Sequence, residues 1–152
     1  GAEALFVEAA NKALAQADLA AADIDTIVSV SSTGIATPTL EARVAGRMGF
    51  RSDVSRVPVF GLGCAGGVSG LSIAARLAQA RPGTNVLFVT FELCTLAVRH
   101  DELSKANIVA LSLFGDGAAA AAAPRAWRRP ARSCGRIRWI SWAGASIPKG
   151  SA

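Results

Sequence analysis

The chain has 152 residues, of which 51% are hydrophobic and 6% aromatic, and carries a formal net charge of +5. That apolar fraction excludes a disordered chain, and no run approaches the roughly 20 apolar residues of a membrane helix, so no membrane partner is expected. Three scattered cysteines (Cys64, Cys94, Cys134) and a lone histidine, His100, argue against a disulfide framework, give no metal site, and fit a reducing, cytoplasmic setting.

Gly1-Ala2-Glu3-Ala4 lacks the basic start and cleavage site of a secretory leader. Residues Glu3 to Ala17 follow, with Phe6, Ala10, Ala13, Leu14 and Ala17 on one helical face. Thr26 to Ser31 is a β-branched run of strand length. Thr37-Pro38 reads as a helix start, with a hydroxyl cap before a proline, and Leu40, Val44 and Met48 continue the helical spacing up to Gly49. Val57 to Phe60 is a short strand in which Pro58 limits hydrogen bonding. After the glycine-rich turn Gly61-Leu62-Gly63-Cys64-Ala65-Gly66-Gly67, Val68 to Ala80 reads as a helix buried on most sides, stopped by Arg81-Pro82-Gly83. Asn85 to Phe91 is a continuous apolar strand of the kind covered on both faces. Asp101 to Asn107 suits a short helix and Ile108 to Leu113 a strand. The alanine run after Gly115-Asp116-Gly117 is helical by propensity alone. Alternating helices and strands predict a layered α/β domain with a mostly parallel sheet.

Composition breaks at Ala123/Pro124. Residues 124–152 hold seven of the sixteen basic residues, none of the eleven acidic ones and all three tryptophans, so residues 1–123 carry a net −2. Such a tail is either a nucleic-acid-binding arm or sequence of different origin.

The most informative feature is the turn around Cys64. A strand enters, a helix leaves, and glycines permit backbone angles that side chains forbid. One reactive side chain is thereby held on a sharp bend, mechanically like a nucleophile elbow. The unpaired N–H groups of the following helix favour a thiolate, the form that attacks a thioester. A buried structural cysteine beside a glycine turn is the competing reading. For Leu113-Phe114-Gly115-Asp116-Gly117, a structural turn is the reading favoured by composition.

Four segments together resemble the type III polyketide synthases, the chalcone/stilbene synthase-like enzymes of the thiolase superfamily. They are Ser31-Ser32-Thr33-Gly34-Ile35-Ala36-Thr37-Pro38, the Gly61–Gly67 turn, Phe91-Glu92-Leu93-Cys94, and Leu113-Phe114-Gly115-Asp116-Gly117-Ala118-Ala119-Ala120. The resemblance implies a partial N-terminal half of a thiolase-like αβαβα layered fold with a mostly parallel mixed sheet over 1–123, in which the alanine run is a strand. It implies Cys64 as the catalytic nucleophile. Phe114 falls on the phenylalanine between coenzyme A tunnel and reaction cavity, Cys94 and Ser32 on cavity-lining positions, and Thr37 where the family reaches across a homodimer interface. The implied reaction is decarboxylative condensation of malonyl-CoA with an acyl-CoA starter. Coenzyme A thioesters are its substrates, and no cofactor or metal is needed.

The family's catalytic histidine and asparagine lie far downstream of the cysteine, and His100 does not match. The sequence thus resembles an internal fragment, inactive alone. The tail of residues 124–152 departs from the family. With suitable codons, however, Cys134 to Gly144 read one base out of frame gives Trp-Pro-Asp-Thr-Leu-Asp-Ile-Met-Gly-Trp, with which family members continue. An out-of-frame, poorly ordered tail replaces the nucleic-acid arm as the expectation. The alternatives are a ketoacyl-carrier-protein synthase III-like or hydroxymethylglutaryl-CoA synthase-like condensing enzyme, or a non-catalytic dimerisation module.

Overall fold

The computed structural model describes residues 1–97 and 104–123, together with the backbone of 143–144. His100, Cys134, the three tryptophans and nearly all of the tail lie outside the described residues.

The elements run α1 (Ala2–Ala17), β1 (Thr26–Ser31), α2 (Leu40–Met48), β2 (Ser55–Phe60), α3 (Gly66–Ala80), β3 (Val86–Glu92), α4 (Lys105–Leu113), β4 (Gly117–Ala123) and β5 (Ala143–Gly144). The sheet order is β2-β1-β3-β4-β5. β1 pairs in parallel with β2 and β3, and β4 runs antiparallel to β3 and to the two-residue β5. The parallel pairing of β1, β2 and β3 is what the alternation of helix and strand signals predicts, and the mixed sheet and the alanine strand are what the family resemblance implies.

Side chains alternate across the sheet. Ile27, Leu87, Val89, Phe91, Ala118 and Ala120 face α1 and α2, where they meet Phe6, Ala10, Leu14 and Val44. Phe6 has no exposed surface; burying a side chain of this size contributes about 2–3 kcal/mol. Its ring meets Phe91 edge-on, with centroids 6.0 Å apart and an interplanar angle of 76°. Val28, Val30, Val86 and Phe88 face the opposite way, onto α3. β3 is thus covered on both faces, which explains its unbroken apolar run.

Asp25 aligns the strand starts. Its carboxylate accepts from the Asn85 N–H (2.8 Å) and from Arg51 Nη2 (2.9 Å), and its carbonyl accepts from the Ser55 N–H (3.0 Å). One residue therefore touches the entries of β1, β2 and β3. Asp53 and then Asp25 hold the Arg51 guanidinium still more firmly protonated than usual.

Three expectations are corrected. Thr37-Pro38 does not start α2. The helix begins at Leu40 after Thr39, whose carbonyl accepts the N–H groups of Ala42 (3.0 Å) and Arg43 (3.1 Å). The Pro38 and Thr37 carbonyls are instead taken by the Arg43 guanidinium. Ile108 to Leu113 is helix, not strand, because α4 is capped at its start by Ser104, whose hydroxyl accepts the Asn107 N–H at 3.2 Å. Residues 101–103 of the expected short helix lie outside the described residues. Finally, α3 is buried on one face only. Gly66, Gly70 and Ala74 meet the sheet, whereas Val68 is 78% exposed.

Glu41, in the first turn of α2, is a buried carboxylate. Ser29 Oγ donates to its Oε2 at 2.9 Å, while its Oε1 has no partner among the described residues. Ser29→Ala would remove the one hydrogen bond that the described residues give this carboxylate. It is expected to cost about 1–3 kcal/mol, read as a lower midpoint in urea unfolding followed by circular dichroism. An unchanged midpoint would show that Ser29 contributes nothing to holding this carboxylate.

Candidate active site

Parallel pairing of β1, β2 and β3 brings their carboxyl ends to one edge of the sheet. In this register Ser31 stands beside Phe60, and Val30 beside both Val59 and Thr90. Segments leaving that edge form a crevice, the usual place for ligands in such sheets. The segments are Ser32-Thr33 after β1, Gly61–Cys64 after β2, and Leu93-Cys94 after β3. α4 and Phe114 close the side. The resulting cleft has a volume of about 310 Å³ and is lined by Ser32, Thr33, Gly63, Cys64, Glu92, Cys94, Asn107, Ala110, Leu111 and Phe114.

Cys64 occupies a short 3-10 turn, Gly63–Ala65, that runs directly into α3. Gly63 has φ of 52°, a left-handed angle that side chains resist. Its N–H donates to Ser32 Oγ at 2.8 Å. The bend therefore combines glycine conformation with a tether to the β1 segment. The Cys64 side chain is exposed within the cleft. α3 can lie close beneath the turn because Gly66 and Gly70 have no side chains. A Cβ at Gly66 would sit 2.8 Å from Val30 Cγ1, and one at Gly70 would collide with Val30 and Phe88.

Glu92, at the end of β3, ties the walls together. Its carboxylate accepts the Ser32 N–H (2.9 Å), the Thr33 N–H (3.0 Å) and the Thr33 hydroxyl. Thr33 Oγ1 in turn accepts the Leu93 N–H at 2.7 Å. A charge in a part-buried site is normally costly; here fixed donors surround it. Asp116 does the same on the far side. Its two oxygens accept the Thr95 N–H (2.8 Å) and the Thr95 hydroxyl (2.7 Å). The Gly-Asp-Gly turn is thereby pinned to the segment that carries Cys94. Cys94 is half-buried, and its thiol is pushed up by burial first, then by the carboxylates of Glu92 and Asp116 and by Cys64.

The structure thus brings four of the five expected site residues, Cys64, Cys94, Ser32 and Phe114, to one cleft. Thr37 is exposed and does not line it. Glu92, Thr33 and Asp116 stand in the family-like motifs, but only the Asp116 turn was expected to support the cavity wall, and Glu92 and Thr33 were given no role of their own. The available signal was a lone acidic residue ending an otherwise apolar strand. Among the described residues, no cation lines the cleft and no cluster of three metal-ligating side chains occurs. No helix among them is long and apolar enough to cross a membrane. The arrangement offers an exposed thiol, a mainly apolar acyl-sized pocket and hydroxyl groups at its rim.

Comparison with known proteins places this geometry. The family of chalcone and stilbene synthases, N-terminal domain, matches residues 2–126. A 1,3,6,8-tetrahydroxynaphthalene synthase of Streptomyces peucetius subsp. caesius is 52% identical over 120 residues, which covers 79% of this chain and 32% of that protein. A putative chalcone synthase of Bacillus subtilis is 45% identical over 98 residues, covering 64% of this chain and 27% of the other. The crystal structure of the 1,3,6,8-tetrahydroxynaphthalene synthase from Streptomyces coelicolor A3(2) superposes with a TM-score of 0.76 at 36% identity, covering 82% of this chain and 36% of that one. The chain spans about a third of the length of these relatives. With sequence, layering and cleft in agreement, the chain belongs to the chalcone and stilbene synthase family of type III polyketide synthases, with the thiolase-type fold of that family's N-terminal domain.

Proposed function

We propose that Cys64 is the nucleophile of a type III polyketide synthase reaction. The observation that carries this reading is the exposed thiol on a tethered bend, at the carboxyl ends of three parallel strands and inside an acyl-sized cleft. The Cys64 sulfur attacks the carbonyl of an acyl-CoA starter. The new carbon–sulfur bond replaces the bond to coenzyme A, and the thiol proton leaves with the coenzyme A thiol. Malonyl-CoA then loses CO2, and the resulting carbanion attacks the Cys64 thioester, which frees the cysteine and lengthens the chain by two carbons. Phe114 stands at the entrance, and Ser32 and Cys94 shape the space for the acyl group. Thr37, exposed and away from the cleft, is available to a second copy in a homodimer. The setting is cytoplasmic, and the residues beyond 123 take no part in the chemistry.

In the family that the sequence resembles, a histidine and an asparagine far downstream of the cysteine activate the thiol, drive decarboxylation and hold the thioester oxygen. Acyl loading is the step that the Cys64 sulfur itself carries, and it is the step open to direct test. Incubation with hexanoyl-CoA at pH 8, followed by peptide mass spectrometry, should find the acyl group on Cys64, and Cys64→Ala should abolish the adduct. Acylation confined to Cys94 or Cys134, or none at all, would refute the assignment of Cys64.

A further inference from the structure

The cleft contains two thiols, and only one is needed to carry the acyl group. Cys64 and Cys94 line the same 310 Å³ space and both are free. Cys94 differs in its surroundings. Glu92 lies two residues before it and Asp116 is bound to Thr95, the residue after it. Both carboxylates are fixed by backbone N–H donors, Glu92 through Ser32 and Thr33 and Asp116 through Thr95. Hydroxyl donors from Thr33 and Thr95 complete the two sets. Among the described residues, none of the ten that line the cleft is cationic.

We propose that Glu92 and Asp116 form a carboxylate brace that keeps Cys94 from competing with Cys64 for the incoming acyl group. The proposal rests on the reading of Cys64 as the acyl-accepting thiol. A thioester is attacked by a thiolate, not by a thiol. Half-burial penalises the Cys94 thiolate first, and the two fixed negative charges of Glu92 and Asp116 add to that penalty. Among the described residues, the titratable groups acting on Cys94 are Glu92 from β3, Asp116 from the loop before β4, and Cys64 from the turn before α3. Cys94 thus contributes shape to the cavity without acting as a second acylation site. Glu92 and Asp116 are positioning residues that act through Cys94.

Alkylation with iodoacetamide, mapped separately on the Cys64, Cys94 and Cys134 peptides, tests this without any substrate. At pH 7.5, Cys64 should be labelled about tenfold or more faster than Cys94. Steric shielding alone lowers a rate at every pH, whereas burial and the brace both shift the pH profile, and the two carboxylate variants separate the brace from burial. The Cys94 labelling midpoint should therefore lie above that of the same thiol in concentrated urea. In Asp116→Asn, which keeps one acceptor for Thr95, and in Glu92→Gln, the midpoint should fall and labelling at pH 7.5 should rise roughly threefold or more. A Cys94 midpoint equal to its value in urea overturns the proposal, whether or not the variants fold. So does an unchanged midpoint in two folded variants. Failure of hexanoyl-CoA to acylate Cys64 would refute the functional reading instead, and leaves the alkylation profiles to be judged separately.

Discussion

Gly70→Val should lower the stability of the chain by roughly 3 kcal/mol and reduce acyl loading at Cys64. α3 rests on β1 and β3 through Gly66, Gly70 and Ala74. A Cβ at Gly70 would drive into Val30 and Phe88, both buried in the sheet. Val30 is β-branched and has little rotameric freedom to yield. Two effects oppose each other at this position. Overpacking costs about 1–3 kcal/mol, while alanine in place of glycine gains about 1 kcal/mol in helix propensity. Gly70→Ala should therefore lose roughly 1 kcal/mol net. Valine brings a larger clash and a poorer helix former, so its loss is the greater. Urea unfolding reads both values. Because α3 leads directly out of the Cys64 turn, displacing the helix should also slow hexanoyl transfer to Cys64 in folded protein. A Gly70→Val chain as stable as the original would show that α3 does not rest on the sheet at this glycine.

Glu92→Ala is expected to cost about 2–4 kcal/mol. Three donors lose their acceptor at once, two of them backbone N–H groups in a part-buried site. Water replaces part of that loss, which sets the upper bound. The second consequence is local. Without Glu92 the Ser32-Thr33 segment loses its anchor, and with it the tether from Ser32 Oγ to the Gly63 N–H. Amide exchange at Gly63 should accelerate more than exchange in α1, and Cys64 loading should fall beyond what the lost stability explains. Glu92→Gln keeps one acceptor oxygen and should show a smaller loss. Uniform acceleration across the whole chain would mean that Glu92 supports global stability but not the nucleophile turn.

The strands were legible where sequence and packing agree. Thr26–Ser31 has the same bounds in sequence and structure, because a β-branched run between an acidic start and a Ser-Ser-Thr-Gly segment has little alternative. The Cys64 bend was legible because glycines cluster there for reasons of backbone geometry. Ile108 to Leu113 was misread because a short apolar run with Ile and Val has no distinctive period. The deciding contact is the Ser104 cap, a single hydroxyl four residues upstream. The alanine strand was legible only through the family. Alanine favours helix, but pairing with β3 and packing of Ala118 and Ala120 against α1 override that preference. The carboxylates around Cys94 left only a faint trace in the sequence, an acidic residue ending an apolar strand and a Gly-Asp-Gly turn. The brace joins residues separated by 59 and 60 positions for Glu92 and by 21 for Asp116. Only the fold brings those residues within hydrogen-bonding distance.

The tether between Ser32 and Gly63 also limits how the reaction can be electrostatically assisted. When a thioester carbonyl is attacked, negative charge collects on its oxygen, and backbone N–H groups near the nucleophile commonly stabilise that charge. The Gly63 N–H is adjacent to Cys64 but already donates to Ser32 Oγ. It cannot serve as an oxyanion donor without releasing the bend that presents the thiol. The charge on the tetrahedral intermediate must be met by a different donor, so the glycine that shapes the turn is excluded from its catalytic dipoles.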